Sequence, residues 1–284
     1  MSSNLGSPAP IQPLNIGDIV TGGFRLYRSH IKDYFLIALK ANVWLLVPIY
    51  GWAKYYALSS LISRLSFGEL INQPEDIKTG QKFVNSRLGQ FLLQLVLMFL
   101  IYISLGLGFA IVFGIVGGVL GVAIGGIFQN TNPAFGVLSV LLGIVLFAAI
   151  FLGFFWFTTR FYLADVTLAI EDDTTATSAI SRSFELTKGN IWRIVGITFI
   201  AFLITLPLQI VVQVIVSVLQ LVLTPLIQGN SGIFTLLYFV LIFAISFSSG
   251  AVIIPFWQAI KATIYYDLRS RREGLGLRLR DNEI

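Results

Sequence analysis

The chain has 284 residues, 56% hydrophobic and only 12% charged, with a mean hydropathy of +0.84 and a formal charge of +5. Such values exclude an ordinary soluble domain and indicate an integral membrane protein, in which Lys and Arg report mainly which loops stay in the cytoplasm. Absence of cysteine excludes disulfides, thiolate metal sites and a cysteine nucleophile, and no basic, aromatic-interleaved module is left over to bind nucleic acid.

Residues 1–14 hold neither a basic start nor an apolar core and read as a disordered tail rather than a secretory signal. Residues 15–33 follow as an amphipathic lead-in helix, with Ile16, Val20, Phe24, Tyr27 and Ile31 on one face and Asp18, Arg25, Arg28 and Lys32 on the other. Gly22 and Gly23 weaken it. The apolar run from Tyr34 to Leu65 is interrupted by Lys40, Asn42 and Lys54, with Pro48 and Gly51 near its middle. It is too long for one straight crossing and too short for two with a turn, which leaves one tilted span or a short hairpin. An odd number of crossings would put Arg25, Arg28 and Lys32 outside, so a short or re-entrant hairpin is expected.

A second lead-in runs from Asn72 to Gly89, where Pro74 suits the first helical position and Gly89 the stop. Two uncharged runs, Phe91 to Phe128 and Phe135 to Thr159, then flank a turn at Gln129 to Ala134 and predict a transmembrane hairpin. Gly114 and Gly118, and Gly117, Gly121 and Gly125, recur every four residues, a pattern that admits close helix packing in lipid. The third lead-in, Asp172 to Arg193, is the best formed. Asp172, Asp173 and Thr174 supply cap and charge at its start, Ala176, Ile180 and Phe184 an apolar face, and Lys188 with Gly189 its end. A second hairpin follows, Ile191 to Leu226 and Ile233 to Tyr266, with a turn at Ile227 to Gly232.

The fold class expected is therefore an all-α integral membrane protein of three degenerate repeats, at about residues 15–66, 72–165 and 171–267, each a lead-in helix plus a hydrophobic hairpin, followed by a basic tail at 268–284. Of the nineteen Lys and Arg, three lie in 1–33, four in 61–90, four in 160–193 and five in 268–284, and none in the turns at 129–134 and 227–232. The positive-inside rule then places the lead-ins and both termini in the cytoplasm, with four full spans, or six if the first hairpin crosses fully.

Two sets of residues are candidates for function. Gln209, Gln213, Ser217, Gln220 and Thr224 form one polar stripe along a membrane helix, and such groups in hydrocarbon need another helix, an interface or a watery path. Arg25, Arg28, Arg182, Lys188, Arg193, Arg269, Arg271 and Arg272 sit where they can dock to headgroups or partners. Residues 91–159 and 194–260 hold no acidic group, and the only basic groups near membrane depth are Lys40, Lys54, Arg160 and Lys261. The single histidine, His30, has no second histidine to work with; Glu171, Asp172 and Asp173 read as a helix start; Ser246, Ser248 and Ser249 lack a base. No catalytic residue, cofactor or metal site is expected.

The stretches IGDIVTGGFRLYRSH, SRSFELTKGNIWRI and YYDLRSRREGLGLRLR resemble the bacterial membrane-domain family named after glycerophosphoryl diester phosphodiesterases, over most of the chain after residue 14. Some members of that family join this domain to a catalytic one, but there is no second histidine and no HR motif here, so the resemblance implies fold and membrane location and transfers no catalytic residue. The compressed first hairpin departs from the family's usual pair of spans. The function expected is a lipid-associated scaffold or assembly factor in a bacterial inner or internal membrane, with membrane lipids and other membrane proteins or itself as partners and no nucleic acid; the alternative is a carrier or channel component for a small solute or lipid.

Overall fold

A computed structural model of the chain describes residues 14–129, 133–228 and 232–274. Among these the secondary structure is entirely helical: α1 (Ile16–Ser29), α2 (Ile31–Trp44), α3 (Tyr50–Leu70), α4 (Ile77–Ser86), α5 (Leu88–Gln129), α6 (Pro133–Thr159), α7 (Ala164–Ile170), α8 (Ala176–Thr187), α9 (Ile191–Gln228) and α10 (Gly232–Glu273). Four stretches are long and apolar enough to cross a membrane, beginning at Leu88, Val140, Ile191 and Gly232, and at most 11% of their most apolar windows is buried within the chain. Those windows are therefore largely exposed on the surface of the chain. Both expected hairpins are present as α5–α6 and α9–α10, while residues 130–132 and 229–231 of their turns lie outside the described residues.

Helix length shapes the rest. At 1.5 Å per residue the 42 residues of α10 extend about 63 Å, well beyond the roughly 40–45 Å of a bilayer with its headgroups. The first half of α10 is therefore a span and its second half a post, around which α1, α2, α3, α7 and α8 assemble a charged base. Phe256, Ala259, Ile260, Ile264, Tyr265 and Leu268 of this post are buried. Tyr265 meets Phe67 edge-on at 5.3 Å and Phe256 meets Tyr27 at 6.0 Å. The basic tail expected from residue 268 is in fact the continuation of this helix to Glu273, and residues 275–284 lie outside the described ones.

The lead-in helices are shorter and more deeply packed than their sequence suggests. Helix α1 buries Ile19, Val20, Gly23 and Tyr27, leaving Phe24 and Ile31 of the expected face exposed. The reason is Gly23, where a Cβ would sit 2.6 Å from Ile260 Cδ1: the glycine is the contact point with α10 rather than a weakness. In α4 the cap is Asp76, whose side chain accepts the Lys78 N–H at 3.1 Å, so Pro74 lies ahead of the helix. Gly89 does not end it; α5 starts at Leu88. In α8 the cap is Thr175, paired with Ser178, rather than the acidic run, and the buried face is Ala176, Ala179, Ser183, Leu186 and Thr187, with Phe184 exposed. Gly189, at φ +81°, supplies the expected left-handed stop. Leu14, assigned to the tail, is held by its N–H to Asp267 Oδ1 at 3.1 Å.

The first hairpin is α2 and α3 joined by residues 45–49. Fourteen residues of α2 span about 21 Å, short of the ~30 Å hydrocarbon core, and α3 carries Lys54, Arg64 and Glu69. Neither is among the four candidate spans. Its tip is apolar and bare, with Leu46 60% and Ile49 62% exposed. Gly51 is obligatory there, since a Cβ would come within 2.0 Å of the Trp44 carbonyl oxygen. One face of α3, Ser59, Ser63 and Ser66, is small and buried, which lets α10 and α2 approach closely.

This packing separates two adjacent glycines. Gly23→Val should destabilise the base by about 1–3 kcal/mol through overpacking against Ile260, whereas Gly22→Ala, whose Cβ meets only the Thr263 methyl at 3.7 Å, should be neutral or stabilise by up to about 1 kcal/mol. Thermal unfolding of both variants in detergent distinguishes them.

Candidate ligand-binding cleft

The acidic group in the run FYLADVTLAI, Asp165, stands in the first turn of α7 and is almost wholly buried. An isolated carboxylate there would be costly, and two side chains from α10 answer it. Lys261 Nζ of α10 lies 2.8 Å from Asp165 Oδ2, and Gln258 Nε2, one turn earlier, donates to the same oxygen at 3.1 Å. Ser63 of α3 in turn donates to Gln258, reaching its backbone oxygen at 3.0 Å. The Lys261 ammonium also rests over the Tyr162 ring, 5.0 Å from its centroid.

This pair borders a cavity of about 330 Å³ whose walls include Tyr55, Tyr56, Tyr102 and Tyr162. Burial pushes the Tyr56 phenol well above its ordinary pKa and raises Tyr55 as well, with the Asp165 carboxylate adding to both. Both phenols are therefore neutral hydrogen-bond donors at physiological pH. The Tyr162 hydroxyl is buried without a partner among the described residues. Tyr102 and Tyr162 also line a second, larger cavity of about 640 Å³ between α6 and α9, walled by Phe151, Phe155, Val195, Phe199, Phe202 and Trp257 among others. The two spaces are neighbours of opposite character, one apolar and one charged.

The polar stripe lies beyond the cavity on the same face of α9. Val195, Phe199 and Phe202 line the apolar cavity, and steps of three and four residues continue that face through Leu206 to Gln209, Gln213, Ser217, Gln220 and Thr224. All five stripe residues are exposed. Gln209 donates to Thr205 at 3.1 Å and Gln220 to the Tyr238 hydroxyl at 3.2 Å, while Gln213 and Ser217 have no partner among the described residues. The glycine pattern is equally bare: a Cβ at Gly114, Gly117, Gly118, Gly121 or Gly125 would meet nothing within 4 Å. Among the described residues the close packing expected there is not made.

Most of the basic residues assigned to docking are internal struts. Arg182 joins Glu171, at 3.1 Å, to Glu273; Arg193 and Arg271 both hold the buried Asp267, at 3.2 and 3.0 Å; Arg269 pairs with Glu273 at 2.9 Å; and Arg272 donates to the Lys188 backbone oxygen. Burial weakens the Arg182 cation, but its bonds to Glu171 and Glu273 outweigh this and raise its pKa. Of that set, Arg25, Arg28, Lys188 and Arg272 are exposed without an ion pair among the described residues, Arg272 being tied only to the Lys188 backbone oxygen. Two arginines outside the docking set close the end of α7. Arg64 donates to the Ala169 oxygen at 3.0 Å while pairing with Glu75 at 2.6 Å, and Arg87 donates to the oxygens of Leu168 and Glu171 at 2.9 and 2.8 Å. Burial lowers the Arg87 pKa. His30 lies between α1 and α2, stacked on Tyr34 and 3.5 Å from Glu69.

Sequence reasoning noticed Lys261 and passed over its partner. The signal was there: Asp165 is the sole acidic residue between 160 and 170, and Lys261 the sole basic one between 194 and 268.

Four apolar spans rooted in a buried, ion-paired helical base define a multi-pass, all-helical membrane protein. The chain belongs to the family described as a domain of unknown function, DUF7847, whose model matches residues 78–268, from the start of α4 to near the end of α10. That match does not connect it to the family named after glycerophosphoryl diester phosphodiesterases. No curated protein and no solved structure matches the chain.

Removing one member of the buried pair strands the other. Asp165→Leu or Lys261→Met alone should cost about 3–5 kcal/mol, and the double variant distinctly less than the sum. Thermal unfolding in detergent measures both, with non-additivity as the signature of the pair.

Proposed function

We propose that the protein is a non-enzymatic, lipid-associated scaffold whose cleft between α6 and α9 holds a phospholipid. The observation that carries this reading is the order of polarity in the cleft: an apolar cavity of about 640 Å³ borders a smaller one containing Lys261, Asp165 and four tyrosines. A phospholipid has the same order, with a phosphate suited to the ammonium and the neutral phenols and a tail suited to the phenylalanines. The positive-inside rule puts the charged base in the cytoplasm, which places the ligand in the inner leaflet with headgroup and tail in their normal sense. The bare spans then serve as surfaces for other membrane proteins or another copy, and the exposed Arg25, Arg28 and Lys188 meet anionic headgroups. On this reading the chain needs no catalytic residue, cofactor, metal or nucleic acid.

A carrier role is the second reading, favoured by the exposure of the polar stripe along the same face.

Gentle-detergent purification followed by mass spectrometry of bound lipids and proteins tests the first reading. Wild type should retain a phospholipid at stoichiometric level, and Val195→Trp, which fills the apolar cavity, should weaken retention roughly tenfold, about 1.4 kcal/mol, without lowering thermal stability. A wild-type protein stripped of lipid under these conditions would refute the reading.

A further inference from the structure

The polar stripe on α9 is the feature that a static lipid site leaves unused. It begins where the apolar cavity ends, on the same helical face, and it is made only of amides and hydroxyls: no Asp, Glu, Lys or Arg occurs from Ile194 to Ile260. From Val195 to Thr224 the face runs about 44 Å at 1.5 Å per residue, close to the roughly 40–45 Å of a bilayer including headgroups. Residues beside it, such as Val211, Val214 and Val218, are apolar and more than half exposed.

We propose that this face is a track for the transbilayer movement of phospholipids, an inference that rests on the cleft being a lipid site. A headgroup leaving Lys261 and the tyrosines would move along Gln209, Gln213, Ser217, Gln220 and Thr224 while its tails stay in the hydrocarbon. The physical barrier to such a crossing is the loss of hydrogen bonds by the headgroup in the bilayer centre. Amides supply both donors and acceptors, so they replace those bonds for a headgroup of either charge. Because no fixed charge stands on the track, nothing there holds the headgroup tightly, and conduction needs sites that release as readily as they bind. The movement is passive and runs in both directions. Exposure of all five residues is what the role requires, and among the described residues only Gln209 and Gln220 of the three glutamines have their amide donors engaged.

The test uses the full chain reconstituted into phosphatidylcholine and phosphatidylglycerol vesicles, tight to a trapped dye, that contain a trace of headgroup-labelled fluorescent phospholipid. Dithionite added outside bleaches only the outer leaflet unless lipid crosses. With wild type, bleaching should run nearly to completion. Gln209→Leu/Gln213→Leu/Gln220→Leu should stop it at the outer-leaflet half while bound phospholipid is still recovered on purification, and Gln213→Asn, which keeps an amide, should retain crossing. Recovery of bound lipid with wild-type bleaching halted at one half would overturn the track and leave the lipid site standing; loss of both would overturn both. Full bleaching by the triple leucine variant would also overturn the track. Since the chain lacks cysteine, Gln213→Cys gives a clean check on the competing occupant: a quantitative disulfide between copies, with no crossing, would make the stripe a subunit interface instead.

Discussion

The second half of α10 is the element on which the base depends, because a helix too long for the bilayer must bury what it cannot leave in lipid. Every neighbour meets it through a contact suited to its own chemistry. Gly23 of α1 lies against Ile260 and Ser63 of α3 donates to the Gln258 oxygen, while just ahead of this half Asn42 of α2 donates to the Phe247 oxygen at 2.8 Å. Lys261 reaches Asp165 of α7, and Asp267 gathers Arg193, Arg271 and the Leu14 N–H. The small residues set how near the helices come; the polar ones set which turn faces which. A register shift of one residue on α10 would break all of them together.

Charge in this protein is consequently spent inside rather than displayed. Arg64 and Arg87 close the last turn of α7 by taking its carbonyls, a planar five-donor group doing what a capping residue does elsewhere. Arg182, Arg193, Arg269 and Arg271 hold acidic partners from other turns or other helices. Such pairs add less to stability than their number suggests, since desolvation offsets much of the attraction, but each makes a wrong arrangement expensive by leaving a charge unpaired. Specificity of assembly at the base is the gain, and it leaves the spans without fixed charge.

The contrast between base and spans is what gives the cleft its character. Where α6 and α9 rise out of the base they enclose an apolar cavity beside a charged one, and further out their side chains are mostly exposed. A rigid, hydrogen-bonded root therefore carries two hairpins whose facing surfaces are open to lipid. The lipid site and the track proposed above lie in different parts of α9, so substitutions at Val195 and at the stripe separate the two proposals.

Membrane residence, the helical class, both long hairpins and the reduced first hairpin were legible in the sequence, because hydropathy over twenty residues and helix length against bilayer thickness are local quantities. The polar stripe was legible too, as a periodicity. What it faces was not, since an exposed and a packed stripe share one spacing. The arginines, Gly23 and Asp165 show the same division: their types were plain, but whether a cation meets a headgroup or a carboxylate, whether a glycine loosens a helix or admits a neighbour, and whether an acid finds a lysine 96 positions away depend on which helices are brought together. Burial and pairing are properties of the assembled helices, and only the tertiary structure decided them.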